Sequence, residues 1–286
     1  MAYKDILVHL DGTPRDEMRL RLAMALATRE EAHLTGLFAL GLPAPALYAT
    51  GATSAYDFRV FDQMFDEMRR QGRDAAAKLE ADFNSALDRN GIEGEWCLIE
   101  DEDAAQAVAR HARYTDLALV GQPEPGEASA SDLLRIVETA MLDSGRPLIV
   151  LPYAGDFARI GETVLVGWKT SREAARALND AIPLLRAAKS VTVLAINPAH
   201  GISGEGDVPA VDITHHLARH GVNATAAHTV ANDVPEGDVL LNYASDLGAD
   251  LIVCGAYGHS RTREFVFGGV TRSLLETMTV PVFFSH

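Results

Sequence analysis

The two halves of the sequence repeat one arrangement of short apolar runs. Residues 6–8 correspond to residues 164–166 at an offset of 158, and residues 116–121 correspond to residues 250–255 at an offset of 134. The runs near residues 150 and 284 keep the offset of 134. Self-similarity over such a distance predicts two copies of one structural unit. We therefore expect one domain over residues 1–154 and a second over residues 160–286.

Each half alternates strand-like and helix-like patterns through five strands that are nearly all apolar. Such strands favour a parallel sheet covered by helices on both faces, so the fold class is α/β with two five-stranded sheets in tandem. A helix is predicted over residues 171–188 with Ser171 as its N-cap, and a long charged helix over 57–90 after a loop at 43–57. Ligands of such sheets bind beyond the carboxyl ends of the strands.

Glycines follow the strand that ends near residue 255 and precede the next helical pattern. Gly255 and Gly258 are separated by two residues, and the pair Gly268 and Gly269 comes nine residues later. Glycines at the mouth of a helix let backbone N–H groups approach an anion, and the helix dipole favours negative charge there. The spacing predicts a phosphate site, with hydroxyl groups of Ser260 and Thr271 as further donors. The alternative is that the glycines serve only tight turns.

Composition narrows the class of protein. Hydrophobic residues make up 48% and charged residues 23% of the 286, which is enough to bury a core and excludes a disordered chain. The net charge of −15 disfavours nucleic acid and anionic membranes as partners. The two cysteines, Cys97 and Cys254, lie in separate apolar runs and predict neither a disulfide framework nor a metal site. With no apolar run of membrane-spanning length, we expect a cytoplasmic protein.

At these residues the chain resembles the universal stress protein family in its tandem form. The first-strand element at residues 8–13, Val-His-Leu-Asp-Gly-Thr, is similar to the family's opening signature, and the glycine spacing from Gly255 to Gly268 is similar to its ATP-binding loop. The resemblance implies Rossmann-like sheets of the adenine nucleotide alpha hydrolase-like type with strand order 3-2-1-4-5. It also implies that the halves pack as a pseudo-dimer through their last strands, and it leaves a further homodimer open.

The resemblance assigns roles to individual residues. It implies binding of ATP or a related nucleotide, with or without Mg²⁺, and a role in the stress response. Strand 2 ends near Ile196, where the family's backbone contacts the adenine. Residues implied to contact phosphate and ribose are Gly255, Gly258, His259, Ser260, Gly268, Gly269 and Thr271.

Departures from the family pattern separate the two halves. The second half keeps the glycine loop but has Lys169 where the family has aspartate, and this lysine either reaches a phosphate or is simply solvated. The first half keeps Asp11 but has lost the loop, since Glu124, Leu134 and Arg135 stand where Gly258, Gly268 and Gly269 stand in the second. A carboxylate at Glu124 would repel phosphate. We therefore expect the nucleotide in the C-terminal half.

Other readings of the sequence stay open. His216 and His220, four residues apart on a predicted helix, have the spacing of two metal ligands but no third ligand, so an exposed helix face is the simpler interpretation. No nucleophile elbow or Walker lysine accompanies the glycines, so we expect no catalytic residue and at most slow ATP hydrolysis. The alternatives are a non-nucleotide interaction and dimerisation scaffold and an enzyme built on the same fold.

Overall fold

A computed structural model of the chain describes residues 2–40, 55–127, 129–197, 210–231, 233–257 and 269–286, and for residues 55–62 the backbone alone. In the first half the elements are β1 Asp5–Leu10, α1 Asp16–Glu30, β2 His33–Ala39, α2 Ala55–Asn90, β3 Gly94–Ile99, α3 Ala104–Ala112, β4 Leu117–Gly121, α4 Ala130–Asp143 and β5 Leu148–Leu151. In the second they are β6 Thr163–Trp168, α5 Arg172–Asp180, α6 Ile182–Ala187, β7 Ser190–Ile196, α7 Val211–Arg219, β8 Ala224–Thr229, α8 Glu236–Leu247, β9 Leu251–Gly255, α9 Gly269–Thr277 and β10 Val282–Ser285.

The strands form one continuous sheet of ten. Their order is β3-β2-β1-β4-β5-β10-β9-β6-β7-β8, so each half has the order 3-2-1-4-5, and the α/β prediction is confirmed. All pairings within a half are parallel. The last strands of the two halves pair antiparallel, with Phe283 opposite Ile149. The expected pair of five-stranded sheets is therefore joined edge to edge through β5 and β10.

Two apolar cores, one on each face of the sheet, each contain residues from both halves. Phe283 belongs to one core and Phe284 to the other, and both side chains are fully buried. Because successive side chains of a strand point to opposite faces, this alternation shows that β10 is covered on both sides. The near-continuous apolar strands of the sequence follow from this double burial.

The structure divides the helix predicted over residues 171–188. Ser171 caps it as expected, since its Oγ accepts a hydrogen bond from the amide of Ala174 at 3.2 Å. The helix then ends at Asp180, and a second helix begins at Ile182. Pro183 lies in the first turn of that second helix, where its missing N–H costs nothing, whereas inside a continuous helix it would remove a hydrogen bond.

The long helix α2 has 36 residues and so spans about 54 Å. It begins at Ala55, two residues before its predicted start, and the remainder of the predicted loop, residues 43–54, lies outside the described residues. Among the described helices, α2 included, none combines the length and the apolar character needed to cross a membrane.

The topology places the switch point of the second half between β6 and β9. These strands are direct neighbours, and from them the chain order runs outward in opposite directions, to β7 on one side and β10 on the other. The carboxyl ends of β6 and β9 are Trp168 and Gly255, which the sequence predicted to face one cleft. The corresponding pair in the first half is β1 and β4.

Candidate functional site

A cavity of about 360 Å³ lies at the carboxyl ends of β6, β7 and β9. We call it the C-terminal cavity. It is bounded by the end of β6, the first turn of α5, the end of β9 and the first turn of α9. Its volume falls within the range of pockets that enclose small ligands, and its location at a switch point is where open α/β sheets bind them.

The C-terminal cavity brings together the predicted site residues that the structure describes. Its lining includes Lys169, Ile196, Gly255, Gly269 and Thr271, which are separated by up to about a hundred residues in the sequence. The remaining predicted residues lie outside the described part of the chain: Gly258, His259, Ser260 and Gly268.

One wall of the cavity is apolar. Trp168, Leu194, Ile196 and Leu240 contribute to it from β6, β7 and α8, and Val270 adds the first turn of α9. Leu194 and Leu240 are almost fully buried beneath the cavity, so this wall belongs to the core and is held in place by it. A rigid apolar wall of this kind suits a flat, weakly polar group such as a nucleobase.

Gly255 has a packing role that the sequence did not reveal. A β-carbon at this position would lie 2.5 Å from the carbonyl carbon of Glu173 and 2.6 Å from the amide nitrogen of Ala174. The first turn of α5 therefore sits directly against the end of β9, and only glycine permits that approach. At Gly269, by contrast, a β-carbon would meet no atom of the described residues within 4 Å.

Thr271 links the first turn of α9 to the end of β9. Its side chain is 2% exposed, and its Oγ1 accepts a hydrogen bond from the backbone amide of Tyr257 at 3.4 Å. Tyr257 adopts a left-handed backbone conformation with φ of 59°, which is uncommon for a residue other than glycine. The threonine hydroxyl, predicted as a phosphate donor, thus also holds the turn that leaves the strand.

Sequence reasoning missed Tyr257 and Glu173 as cavity residues. The ring of Tyr257 packs edge-on against His286 with ring centres 6.1 Å apart, and burial, together with the charge of Glu138, raises the pKa of its hydroxyl. Burial also acts on Glu173, but hydrogen bonds from Arg172 and Ser171 outweigh it and hold its pKa below the usual value. An aromatic residue two positions after the end of the strand was the available signal for Tyr257, whereas nothing local marked Glu173.

Lys169 lies at the rim of the cavity. It is exposed and follows the last residue of β6, the position at which β1 continues into Asp11. Two carboxylates, Glu173 and Glu236, also line the cavity, so the lysine faces a mixed electrostatic environment.

A buried charged cluster lies at the corresponding strand ends of the first half. Arg19 is 2% exposed, and its guanidinium bonds the carbonyl of His9 at 2.6 Å, Asp11 at 3.0 Å and Asp16 at 3.2 Å. A β-carbon on Gly121, the counterpart of Gly255, would lie 2.4 Å from Nη2 of Arg19. The arginine therefore fills the space beside the end of β4 and neutralises the aspartates there.

Ion pairs close the loop side of that first-half cleft. Glu124, which stands at the position of Gly258, pairs with Arg15, and Glu127 pairs with the same arginine at 3.2 Å. Arg135, at the position of Gly269, pairs with Asp103 at 2.6 Å. The substitutions that remove the glycines thus also supply the charges that bridge the cleft.

His9 gives the first-half cluster a measurable pH dependence. Burial lowers the pKa of His9 to about 4, while burial raises the pKa of Asp16. The pKa of His9 is lower in the folded chain than in the unfolded chain, so below about pH 6.5 the unfolded chain binds a proton that the folded chain does not. The stabilisation contributed by the neutral His9 side chain is therefore fully present above about pH 6.5 and is lost as the pH falls toward 4. We expect wild type to lose roughly 2.5 kcal/mol relative to a His9→Leu variant between pH 7.5 and pH 4.5.

Urea unfolding of wild type and of His9→Leu at pH 7.5 and pH 4.5 measures this difference. The titration of Asp16 affects both proteins equally and therefore cancels from the comparison. His215, an exposed histidine on α7, provides the control variant His215→Leu. A pH dependence of His9→Leu that matches wild type would contradict a buried neutral His9.

The histidine pair at the C-terminal end of α7 is the other cluster that the sequence singled out. The rings of His216 and His220 lie 4.6 Å apart. Within the described ranges, no group of three or more histidine, cysteine, aspartate or glutamate residues is arranged to hold a metal ion.

Comparison with known proteins agrees with this geometry. The model of the universal stress protein family matches residues 162–286. A universal stress protein from Archaeoglobus fulgidus DSM 4304 is 17% identical, with 98% of this chain and 95% of that chain covered at a TM-score of 0.70. A functionally unknown protein from Pseudomonas aeruginosa PAO1 is 14% identical, with 99% and 92% covered at a TM-score of 0.58. The comparison with curated proteins found no match.

The two solved structures show the fold, and both span nearly the whole chain, including the first half. The family model matches the half that carries the C-terminal cavity. Residues 162–286 are therefore similar to the universal stress protein family, and the first half repeats the same strand order in tandem.

Proposed function

We propose that the protein binds ATP or a related adenine nucleotide in the C-terminal cavity and acts in the stress response as a nucleotide-dependent sensor. The observation that carries this proposal is the lining of the cavity, which combines apolar side chains such as Leu194 and Ile196 with the glycine and hydroxyl residues Gly269 and Thr271. A nucleotide likewise combines an apolar base with charged phosphates.

The polar end suits phosphate for two reasons. Gly269 begins α9, so the unsatisfied N–H groups of the first helical turn and the positive end of the helix dipole lie at the cavity. Among the described residues, none would lie within 4 Å of a β-carbon at Gly269, so these residues leave that backbone accessible to a bulky anion. We propose that the glycine loop between Gly255 and Gly269 completes the phosphate contacts.

Lys169 supplies the charge that distinguishes this site from the family pattern. A lysine at the rim attracts a polyphosphate, and it offsets the two carboxylates that line the cavity, Glu173 and Glu236. We propose that the lysine interacts with the phosphate end of the nucleotide, whereas the aspartate found at this position in the family lies by the nucleoside.

We propose binding with slow turnover or none. Glu173, the most deeply buried carboxylate of the cavity, is engaged by Arg172 and Ser171, and its lowered pKa makes it a weak proton acceptor. Efficient hydrolysis needs a base positioned on the attacking water, and the Glu173 carboxylate is already hydrogen-bonded within the protein.

The first half has a different proposed role. We propose that residues 1–154 form a degenerate domain that no longer binds a nucleotide, because Glu124 and Arg135 replace the loop glycines and are held in ion pairs, and that residues 160–286 form the binding domain. The pairing of β5 with β10 supports an intramolecular pseudo-dimer of these two domains. The same pairing favours the second candidate function, an interaction scaffold whose continuous sheet serves assembly.

Titration calorimetry with ATP and Mg²⁺ tests the leading proposal. We expect saturable heat, and at a ligand concentration of 100 times Kd a gain in stability of about 2.7 kcal/mol, visible as a rise in Tm. Lys169→Glu is expected to weaken binding about tenfold, since it reverses a charge at the rim. The matched control is Lys189→Glu, at an exposed lysine that pairs with Glu162 and does not line the cavity. Absence of heat and of any Tm shift with wild type would overturn nucleotide binding and favour the scaffold.

A further inference from the structure

Gln122 connects the first half of the chain to the helix that begins at the C-terminal cavity. It follows β4 directly and is 1% exposed. Its side-chain Nε2 donates to the carbonyl of Leu275 at 2.7 Å, and its Oε1 accepts from the backbone amide of Tyr153 at 3.1 Å. A single buried amide therefore joins β4, the segment after β5 and the helix α9.

The carbonyl of Leu275 is one that the helix leaves without a partner of its own. The last four carbonyls of a helix have no intrahelical amide to bond, and α9 ends at Thr277. Gln122 supplies the missing donor to Leu275 from the other half of the chain. Buried, and therefore shielded from water, this bond costs more to lose than an exposed one.

Leu275 lies one helical turn beyond Thr271, whose side chain lines the cavity and bonds the amide of Tyr257. On its other side, α9 is tied to α8 by the hydrogen bond from Ser273 to Asp238 at 2.9 Å. A nine-residue helix is short enough that these attachments determine where its first turn stands. The helix that carries Gly269 and Thr271 is therefore bonded to a side chain from the first half.

The repeat shows that this contact is specific to one half. Gln122 and Ala256 occupy equivalent positions, since the amide of Gln122 bonds the carbonyl of Leu151 at 2.8 Å and that of Ala256 bonds the carbonyl of Ser285 at 2.9 Å. Only at residue 122 is there a side chain that can reach across. An alanine at position 256 makes no corresponding contact with α4.

We propose that Gln122 is a positioning residue for the nucleotide site, through which the degenerate first half holds α9 in its binding geometry. The inference rests on the proposed nucleotide binding. It gives the first half a function in regulating the affinity of the second, because any partner or modification that loosens the first half would act on α9.

Hydrogen exchange and calorimetry on the full-length chain test this role together. In a Gln122→Met variant, the protection factors of the α9 amides should fall at least tenfold relative to those of β6 and β9, and the Kd for ATP with Mg²⁺ should rise about tenfold. The matched control is Tyr3→Phe, which removes another hydrogen bond between the halves, the partly buried one from the tyrosine hydroxyl to the carbonyl of Asp180 at 2.7 Å. It should leave α9 protection and Kd unchanged.

A Gln122→Glu variant covers the case in which the methionine variant does not fold. A protonated glutamic acid can still donate to Leu275, whereas the carboxylate cannot. Protection of α9 and ATP affinity should therefore approach wild type at pH 5.5 and fall away at pH 8, a pH profile that a merely structural loss would not produce.

Two results would distinguish failure of the positioning role from failure of nucleotide binding. If wild type binds ATP and the Gln122 variants keep wild-type Kd and α9 protection, the positioning role is wrong. If wild type binds no ATP, the nucleotide proposal fails, and the exchange data still show whether Gln122 holds α9.

Discussion

Replacing Arg19 by methionine is expected to lower the free energy of unfolding by about 3–5 kcal/mol, as the loss of one partner from a buried ion cluster does. The guanidinium neutralises Asp11 and Asp16, whose side chains are only 10% and 6% exposed, and it also bonds the carbonyl of His9. Methionine fills a similar volume but leaves both carboxylates buried without their cation.

The loss should depend on pH. Burial already raises the pKa of Asp16, and removing the arginine would raise it further, so protonation at lower pH relieves part of the penalty. Urea unfolding at pH 8 and pH 5 should therefore show a smaller difference between variant and wild type at pH 5.

Arg21→Met is the matched control, two residues away on the same helix. Arg21 pairs with Asp156, and these side chains are 47% and 70% exposed, so the variant should lose no more than about 1 kcal/mol. Equal effects of the two substitutions would show that the Arg19 cluster is not the element that closes the first-half cleft.

Replacing Gly255 by alanine is the second large effect that we expect, a loss of about 1–3 kcal/mol, typical of overpacking a tight contact. The added methyl group would meet backbone atoms of Glu173 and Ala174, which cannot rotate away. The first turn of α5 would have to retreat from β9, and since both line the C-terminal cavity, nucleotide affinity should fall with stability.

Gly269→Ala tests whether this effect is specific. Its β-carbon would meet no atom of the described part of the chain within 4 Å, so we expect stability to change by no more than about 0.5 kcal/mol. Thermal unfolding of both variants, with and without ATP, separates the two glycines. Similar losses at both positions would mean that Gly255 is not selected by its contact with α5.

Much of the fold could be predicted because its signals are local. Apolar runs bounded by glycine or charged residues gave β1 and β6, and Ser171 was recognisable as a cap from its side chain and position alone. The prediction of one helix over residues 171–188 was wrong at Pro183, and the reason is also local. Proline favours the first turn of a helix, so Pro183 indicates that a new helix begins there.

The candidate site was predictable in outline. Lys169, Ile196, Gly255, Gly269 and Thr271 were chosen from the sequence, and the structure brings them to one cavity. Their identity came from motif spacing and their meeting point from the topology of parallel sheets. Whether they bind a nucleotide stays a prediction until it is measured.

Side chains that act across the repeat could not be predicted. Nothing near Gln122 in the sequence indicates a bond to Leu275, 153 residues later. Arg19 reads as an ordinary charged position of a helix, although it is buried between two aspartates. Both roles depend on where distant elements meet, and a pattern of local periodicity does not contain that information.

The sequence by itself determined the duplication, the α/β class and the glycine-rich end of β9, because apolar periodicity and backbone requirements are properties of neighbouring residues. Only the tertiary structure decided that the halves share one ten-stranded sheet, that Arg19 is buried beside the end of β4, and that Gly255 is needed for packing against α5. The physical reason is that pairing and burial are set by contacts between residues far apart in the chain, and these exist only once both halves have folded together.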